Sequence, residues 1–138
     1  MTVNDVLNYN KIIKGIIDGA DNISALVKFK LLGMCKQFEP IVSDFETIRQ
    51  EKIVQYANDT DNGNVGIVSP NKDKYENEEK YTEAVKEYDE CIKKFSDDMT
   101  ELLNSEANIQ IKKFKAEEIM NAGLSADYLM AIYDLVEE

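Results

Sequence analysis

The sequence contains no histidine, no tryptophan, one arginine (Arg49) and only two cysteines, Cys35 and Cys91. Without histidine there is no Ser-His or Cys-His nucleophilic pair, no ordinary general base near neutral pH, and no imidazole for zinc or haem. Two cysteines on separate helical stripes cannot complete a thiolate metal site within one chain. Interfaces anchored on Trp and Arg are excluded as well, which leaves Tyr, Phe and Met as anchors. No run approaches the roughly 20 apolar residues of a membrane-spanning helix. The start, Met1-Thr2-Val3-Asn4-Asp5, lacks the basic-then-apolar profile of a signal peptide, so a cytoplasmic location is expected. These absences predict a protein that is not an enzyme and takes no cofactor and no metal.

What the chain does have is acid. Its net charge is −11 over 138 residues, and the excess is uneven. Residues 1–38 carry five lysines against Asp5, Asp18 and Asp21, whereas every later segment is negative. Such a chain is repelled by phosphate backbones, so direct nucleic-acid binding is not expected. With 43% apolar residues, only two prolines and six glycines, it has the composition of a soluble protein built from long helices.

Two apolar stripes dominate the pattern. One is Leu31, Met34, Phe38, Ile41, Phe45, Ile48, and the other is Val85, Tyr88, Ile92, Phe95, Met99, Leu102. Both alternate steps of three and four, the spacing that keeps one face of a helix against a partner helix. Folded back antiparallel, each pair from Leu31–Leu102 to Ile48–Val85 has numbers summing to 133, and Lys52–Tyr81 adds a rung. The predicted fold class is therefore all-α: an antiparallel helical hairpin, coiled-coil-like, with a small helical head formed by both chain ends. The expected division is one domain, 1–138. Its head comes from 1–26 and 104–138, its stalk from 27–57 and 73–103, and its tip loop from 58–72.

Local signals fill in the elements. Thr2 with Asp5 predicts a capped first helix, and Gly19 stops it. A second helix starts near Asn22 or Ser24 and reaches about Ala57, with a kink expected before Pro40. Residues 58–72 are turn-rich around an apolar island at Val65–Val68, where a short β-ribbon is one option. Asp73 with Glu76 suggests a capping box for a third helix ending near Asn104. The alternation Asn108 to Phe114 suggests a short strand. A short helix over Ala116–Ala122 then ends at Gly123, and a last helix is capped by Ser125.

Three clusters invite chemistry and each has a plainer reading. Glu79, Glu83 and Glu87 share a helix face that could hold a divalent cation, but Lys80, Lys86 and Lys93 make it a solvated face. Asn58 to Ser69 imitates a twelve-residue calcium loop with Gly63 at position six, yet Ser69 stands where a bidentate glutamate is needed. Lys112, Lys113 and Lys115 around Phe114 form the one basic cluster of the second half, and read best as solubilising charge.

Several segments resemble small proteins of an uncharacterised family from tailed bacteriophages. These are the opening Val6-Leu7-Asn8, the stretch Lys28-Phe29-Lys30-Leu31, the acidic passage from Phe38-Glu39-Pro40 to Phe45-Glu46, and the ending Leu124-Ser125-Ala126-Asp127-Tyr128-Leu129. The resemblance implies a structural or interaction protein, an accessory virion or assembly component, located in the host cytoplasm or in the particle. Its partner would be a larger phage structural protein, with no nucleic acid and no membrane. The alternative is an acidic inhibitor-type binder of a host defence protein. A homo-oligomer stays open beside the single-chain hairpin.

Overall fold

The computed structural model describes residues 1–60 and 65–137. It is all-α: α1 (Val3–Gly19), α2 (Ala25–Gln55), α3 (Glu78–Asn104), α4 (Ala116–Met120) and α5 (Ala126–Ala131), with 3₁₀ turns at Lys72–Lys74 and Tyr133–Leu135. No strand forms among the described residues; the extended segments make only isolated bridges, Thr2–Glu106, Asp59–Gly66 and Phe114–Val136. The ribbon option at Val65–Val68 and the expected strand at 108–114 are thus replaced by single pairings.

The chain divides into two compact units. The first comprises Met1–Ser43 and Ser105–Glu138, and the second Asp44–Asn104. Within the first, α1 and α2 pack closely as a helical hairpin. The α1 N-terminus is set by the capping box read from the sequence: Asp5 N–H donates to Thr2 Oγ1 at 3.2 Å, and Thr2 N–H to Asp5 Oδ2 at 2.9 Å. That bond from the Thr2 backbone holds the Asp5 carboxyl below its usual range. Val6, Ile13 and Ile16 of α1 are fully buried with Val27, Leu31 and Phe38 of α2.

The C-terminal segment closes this core from the other side. Phe114, Ile132 and Leu135 are at most 1% exposed, and Phe114 N–H donates to Leu135 O at 2.8 Å. The lysine cluster's aromatic is therefore a core residue, capped at 5.9 Å by the Lys30 ammonium over its ring. Lys30 also reaches Glu118 at 2.6 Å, which ties α4 to α2, and Ser24 N–H donates to Ala122 O at 2.8 Å one turn away. Gly123 adopts φ +80, the left-handed conformation glycine tolerates, and so lets the chain turn between α4 and α5.

The head thus takes in residues 27–43 as well as the chain ends. Leu31, Met34 and Phe38 belong to its core, with Ile41 packed partly buried against it. The expected boundary at 26/27 is corrected to Ser43/Asp44 because half of the α2 stripe is spent on α1 and the C-terminal segment. Pro40 does not split α2, which runs unbroken from Ala25 to Gln55.

In the second unit the expected register also falls. Lys52 Nζ lies 3.2 Å from Asp98 Oδ2, and Tyr56 donates its phenol to the same oxygen at 2.6 Å. A register of 133 would set Lys52 beside Tyr81, but Asp98 lies seventeen residues further along α3, roughly 25 Å at 1.5 Å per residue. No lysine or tyrosine spans that gap. The antiparallel pairing that fits has numbers summing near 150, so the Phe45–Tyr88 and Ile48–Val85 rungs do not form. Val85, Tyr88, Ile92, Phe95 and Leu102 are nonetheless half-buried and Met99 is buried, so the stripe is the inner face of α3.

The α3 start differs from expectation as well. Asn77, rather than Asp73 with Glu76, supplies the cap, its Oδ1 accepting from Lys80 N–H at 2.8 Å. Asn71 caps the preceding 3₁₀ turn in the same way, accepting from Asp73 N–H at 3.1 Å.

Candidate functional site

The cation sites considered from sequence find no support in the geometry. Among the described residues no group of three or more cysteine or carboxylate side chains is placed to hold a metal ion. Glu79, Glu83 and Glu87 are exposed on α3. Asn58, the first position of the calcium-like loop, spends its amide on the chain itself. Its Nδ2 donates to Val68 O at 2.9 Å and its Oδ1 accepts from Val68 N–H at 2.8 Å. Gly63, the sixth position, lies outside the described residues. The loop's first ligand is therefore a backbone clamp. Cys35 and Cys91 are both free thiols, and they sit in different units.

The first unit carries an apolar groove and an exposed apolar helix face. A shallow groove of 630 Å³ is lined by Asn8, Lys11, Ile12 and Gly15 of α1 and by Tyr128 and Ala131 of α5. Its walls follow from local chemistry. Ser125 Oγ accepts from Tyr128 N–H at 3.3 Å and starts α5. Gly19, at the end of α1, admits the Tyr128 hydroxyl so closely that a Cβ there would stand 2.6 Å from it. Tyr9 adds a bond from α1 to Asp134 at 3.4 Å, and burial followed by that carboxylate pushes the Tyr9 phenol up. Gly15 opens the floor, since nothing lies within 4 Å of where its Cβ would be. Exposed Met130 and Tyr133, 77% and 73% accessible, flank Ala131 in sequence.

A second apolar surface lies on α2, on the side away from the core. Leu26, Phe29 and Leu32 are 53%, 75% and 42% exposed, although Val27, Leu31 and Met34 on the same helix are buried. Met120 is 77% exposed at the end of α4, between Glu118, which pairs with Lys30 of α2, and Ala122, whose carbonyl accepts from Ser24 N–H.

The twelve seam residues are thus divided: Leu31, Met34, Phe38 and Ile41 serve the first unit, the other eight the second. The groove residues were not singled out from sequence, and the one local signal for them was Gly15 inside a helix. The groove combines an apolar floor with an aromatic wall and a lysine rim. It offers no nucleophile with a base beside it, and among the described residues no helix is long and apolar enough to cross a membrane. Compared with protein-family models, curated proteins and solved structures, the chain matches none of them.

Proposed function

We propose that this chain is a non-enzymatic structural or interaction protein, an accessory component of a tailed-bacteriophage particle or of its assembly. It works in the host cytoplasm or in the virion and holds a larger phage structural protein, with neither nucleic acid nor membrane as its ligand. The observation that carries the reading is the α1–α5 groove: an open apolar floor at Ile12, Gly15 and Ala131, with Tyr128 as an aromatic wall and Lys11 as a charged rim. Such a mix of aromatic anchor, apolar floor and polar rim is how protein interfaces are built. The phage assignment is supported by the resemblance of the opening, central and closing segments given above.

Mass spectrometry of particles and assembly intermediates from infected cells tests it. The expected result is this chain at a fixed stoichiometry in one of them, lost when Ile12→Glu fills the groove floor with charge. Absence from both would overturn the virion reading. In that case, capture of a single stoichiometric host protein whose binding falls with salt would favour the acidic-inhibitor alternative.

A further inference from the structure

One stretch of the first unit keeps the pattern of a strand without having a neighbour. From Ala107 to Lys113 the chain is neither helical nor turned. Ala107, Ile109, Ile111 and Phe114 pack on the core, while Gln110, Lys112 and Lys113 are exposed. Isoleucines alternating with polar residues suit a half-buried strand. Both ends are held by strand-type bonds. Ala107 N–H donates to Met1 O at 3.0 Å, Phe114 N–H donates to Leu135 O at 2.8 Å, and Phe114 O accepts from Glu137 N–H at 2.7 Å. Asn108, at φ +52, turns the chain out of the first pairing. Between these anchors the N–H and C=O groups of residues 109–113 make no hydrogen bond among the described residues. Five extended residues span about 17 Å, an ordinary strand length. In an all-α unit such a segment is at odds with its surroundings, and conflicts between local pattern and fold collect at functional sites.

We propose that this edge takes a strand from a different protein: an extended, acidic peptide segment that pairs through its backbone with residues 109–113. Strand addition is strongest on an edge held straight in advance, because little ordering is then lost on binding. The bonds at Met1, Leu135 and Glu137 hold it so. Charge decides the occupant. Lys112 and Lys113 are the only charged side chains of the segment, both exposed, and among the described residues neither forms an ion pair. Asp134 and Glu137 border the same recess as Lys113 and offset part of its charge. Lys115 lies past the edge, beside Glu117 and Glu137, and Glu106 at the other end is paired with the Met1 ammonium at 3.2 Å. Lys112 thus gives the edge its unspent positive charge. A second copy of this chain is disfavoured, because it brings a further −11 and because lysine on a strand edge guards against self-pairing. The edge shares no residue with the α1–α5 groove and needs nothing bound there.

Titration with a short, end-blocked peptide alternating valine and glutamate tests the inference, read by nuclear magnetic resonance as amide shifts and hydrogen exchange at residues 109–113. The expected result is saturable binding with slowed exchange at alternate amides of that stretch. The same peptide with lysine in place of glutamate should bind about tenfold more weakly. A central proline, which removes a backbone donor, should abolish the protection. Lys112→Glu with Lys113→Glu should weaken the acidic peptide about tenfold at unchanged helical content, because both side chains are exposed. Lys86→Glu with Lys94→Glu, the same charge change on exposed positions of α3, should bind as the wild type does. No shift at 109–113 with the acidic peptide at millimolar concentration would overturn the proposal, as would binding that the proline peptide retains. Equal affinity for the acidic and basic peptides, or an equal loss in the α3 variant, would overturn the charge assignment. Exchange at 109–113 that slows with protein concentration alone would give the edge to a second copy instead.

Discussion

The Tyr56 hydroxyl donates to the Asp98 carboxylate at 2.6 Å, and this bond fixes how α2 and α3 are matched in the second unit. The Lys52 ammonium, 3.2 Å from the same oxygen, reinforces it. A carboxylate that receives two donors is stabilised in its charged form, so the hydrogen bond from Tyr56, then that from Lys52, holds Asp98 below the usual carboxylate range. The Tyr56 phenol is pushed up by the same bond.

The first prediction follows from the sign of that shift. A carboxylate with a lowered folded-state pKa contributes stability that is present above its unfolded value and is lost as pH falls through the folded one. Asp98→Asn is expected to lower Tm at neutral pH, and the difference from wild type should close below about pH 4 as the native carboxyl itself protonates. Thermal unfolding followed by circular dichroism at several pH values measures it. A difference independent of pH would mean that the Asp98 charge contributes nothing to the pairing. Asp5 and Glu118, both held low by hydrogen bonds, pull in the same direction, so the wild type should itself lose Tm over this acidic range.

A second prediction separates two phenylalanines that the repeat alone treats as partners. Phe38 is fully buried in the core of the first unit, whereas Phe95 is half-buried on α3. Phe38→Ala should cost about 3–5 kcal/mol, the range for deleting a buried aromatic ring. Phe95→Ala should cost about 1–2 kcal/mol, in proportion to the smaller area it hides. Equal losses in urea unfolding would show that Phe95 is packed as deeply as Phe38.

Which parts of this fold can be read in the sequence depends on how local the determining physics is. The α1 capping box, the Gly19 stop, the Ser125 cap and the Asn104 end of α3 are decided within one turn of chain, and all appear where the residues place them. The register is not local. Stripes with alternating steps of three and four can be zipped in more than one register, and it takes the Lys52 and Tyr56 contacts to Asp98, with Leu31, Met34 and Phe38 in the head core, to rule out the 133 solution. Phe114 was hidden for a similar reason, since lysines at 112, 113 and 115 give its segment the look of solvated surface while its backbone is pinned by Leu135 and Glu137. The candidate site was less legible still, because a groove between α1 and α5 needs the chain ends brought together. Gly15, an interior helix glycine without an internal reason, is its one local trace.

A third prediction concerns Asn10. It is 6% exposed on the face of α1 that carries Val3, Val6 and Ile13, and its Oδ1 is buried with no hydrogen-bond partner. A buried acceptor left unpaired pays its desolvation without return. Asn10→Leu, close in shape and wholly apolar, should raise stability by about 1 kcal/mol, seen as a higher urea midpoint at unchanged slope. A lower midpoint would show that the amide is satisfied in solution, by water held in the core.

The last prediction tests the turn that brings the C-terminal segment back to the start of α2. Gly123 has φ +80, and a Cβ there would stand 2.8 Å from the Asn22 carbonyl oxygen, a backbone atom that cannot swing aside. Two costs therefore combine in Gly123→Ala: left-handed strain of about 1–2 kcal/mol and displacement of the 20–24 connection. The expected loss is at least about 2 kcal/mol in urea unfolding, with the Ser24–Ala122 hydrogen bond weakened in amide exchange. Gly33→Ala, at an interior helix glycine with open space around it, should instead stabilise the monomer by up to about 1 kcal/mol. The same replacement at two glycines then carries opposite signs, because only Gly123 is required by the backbone of this chain.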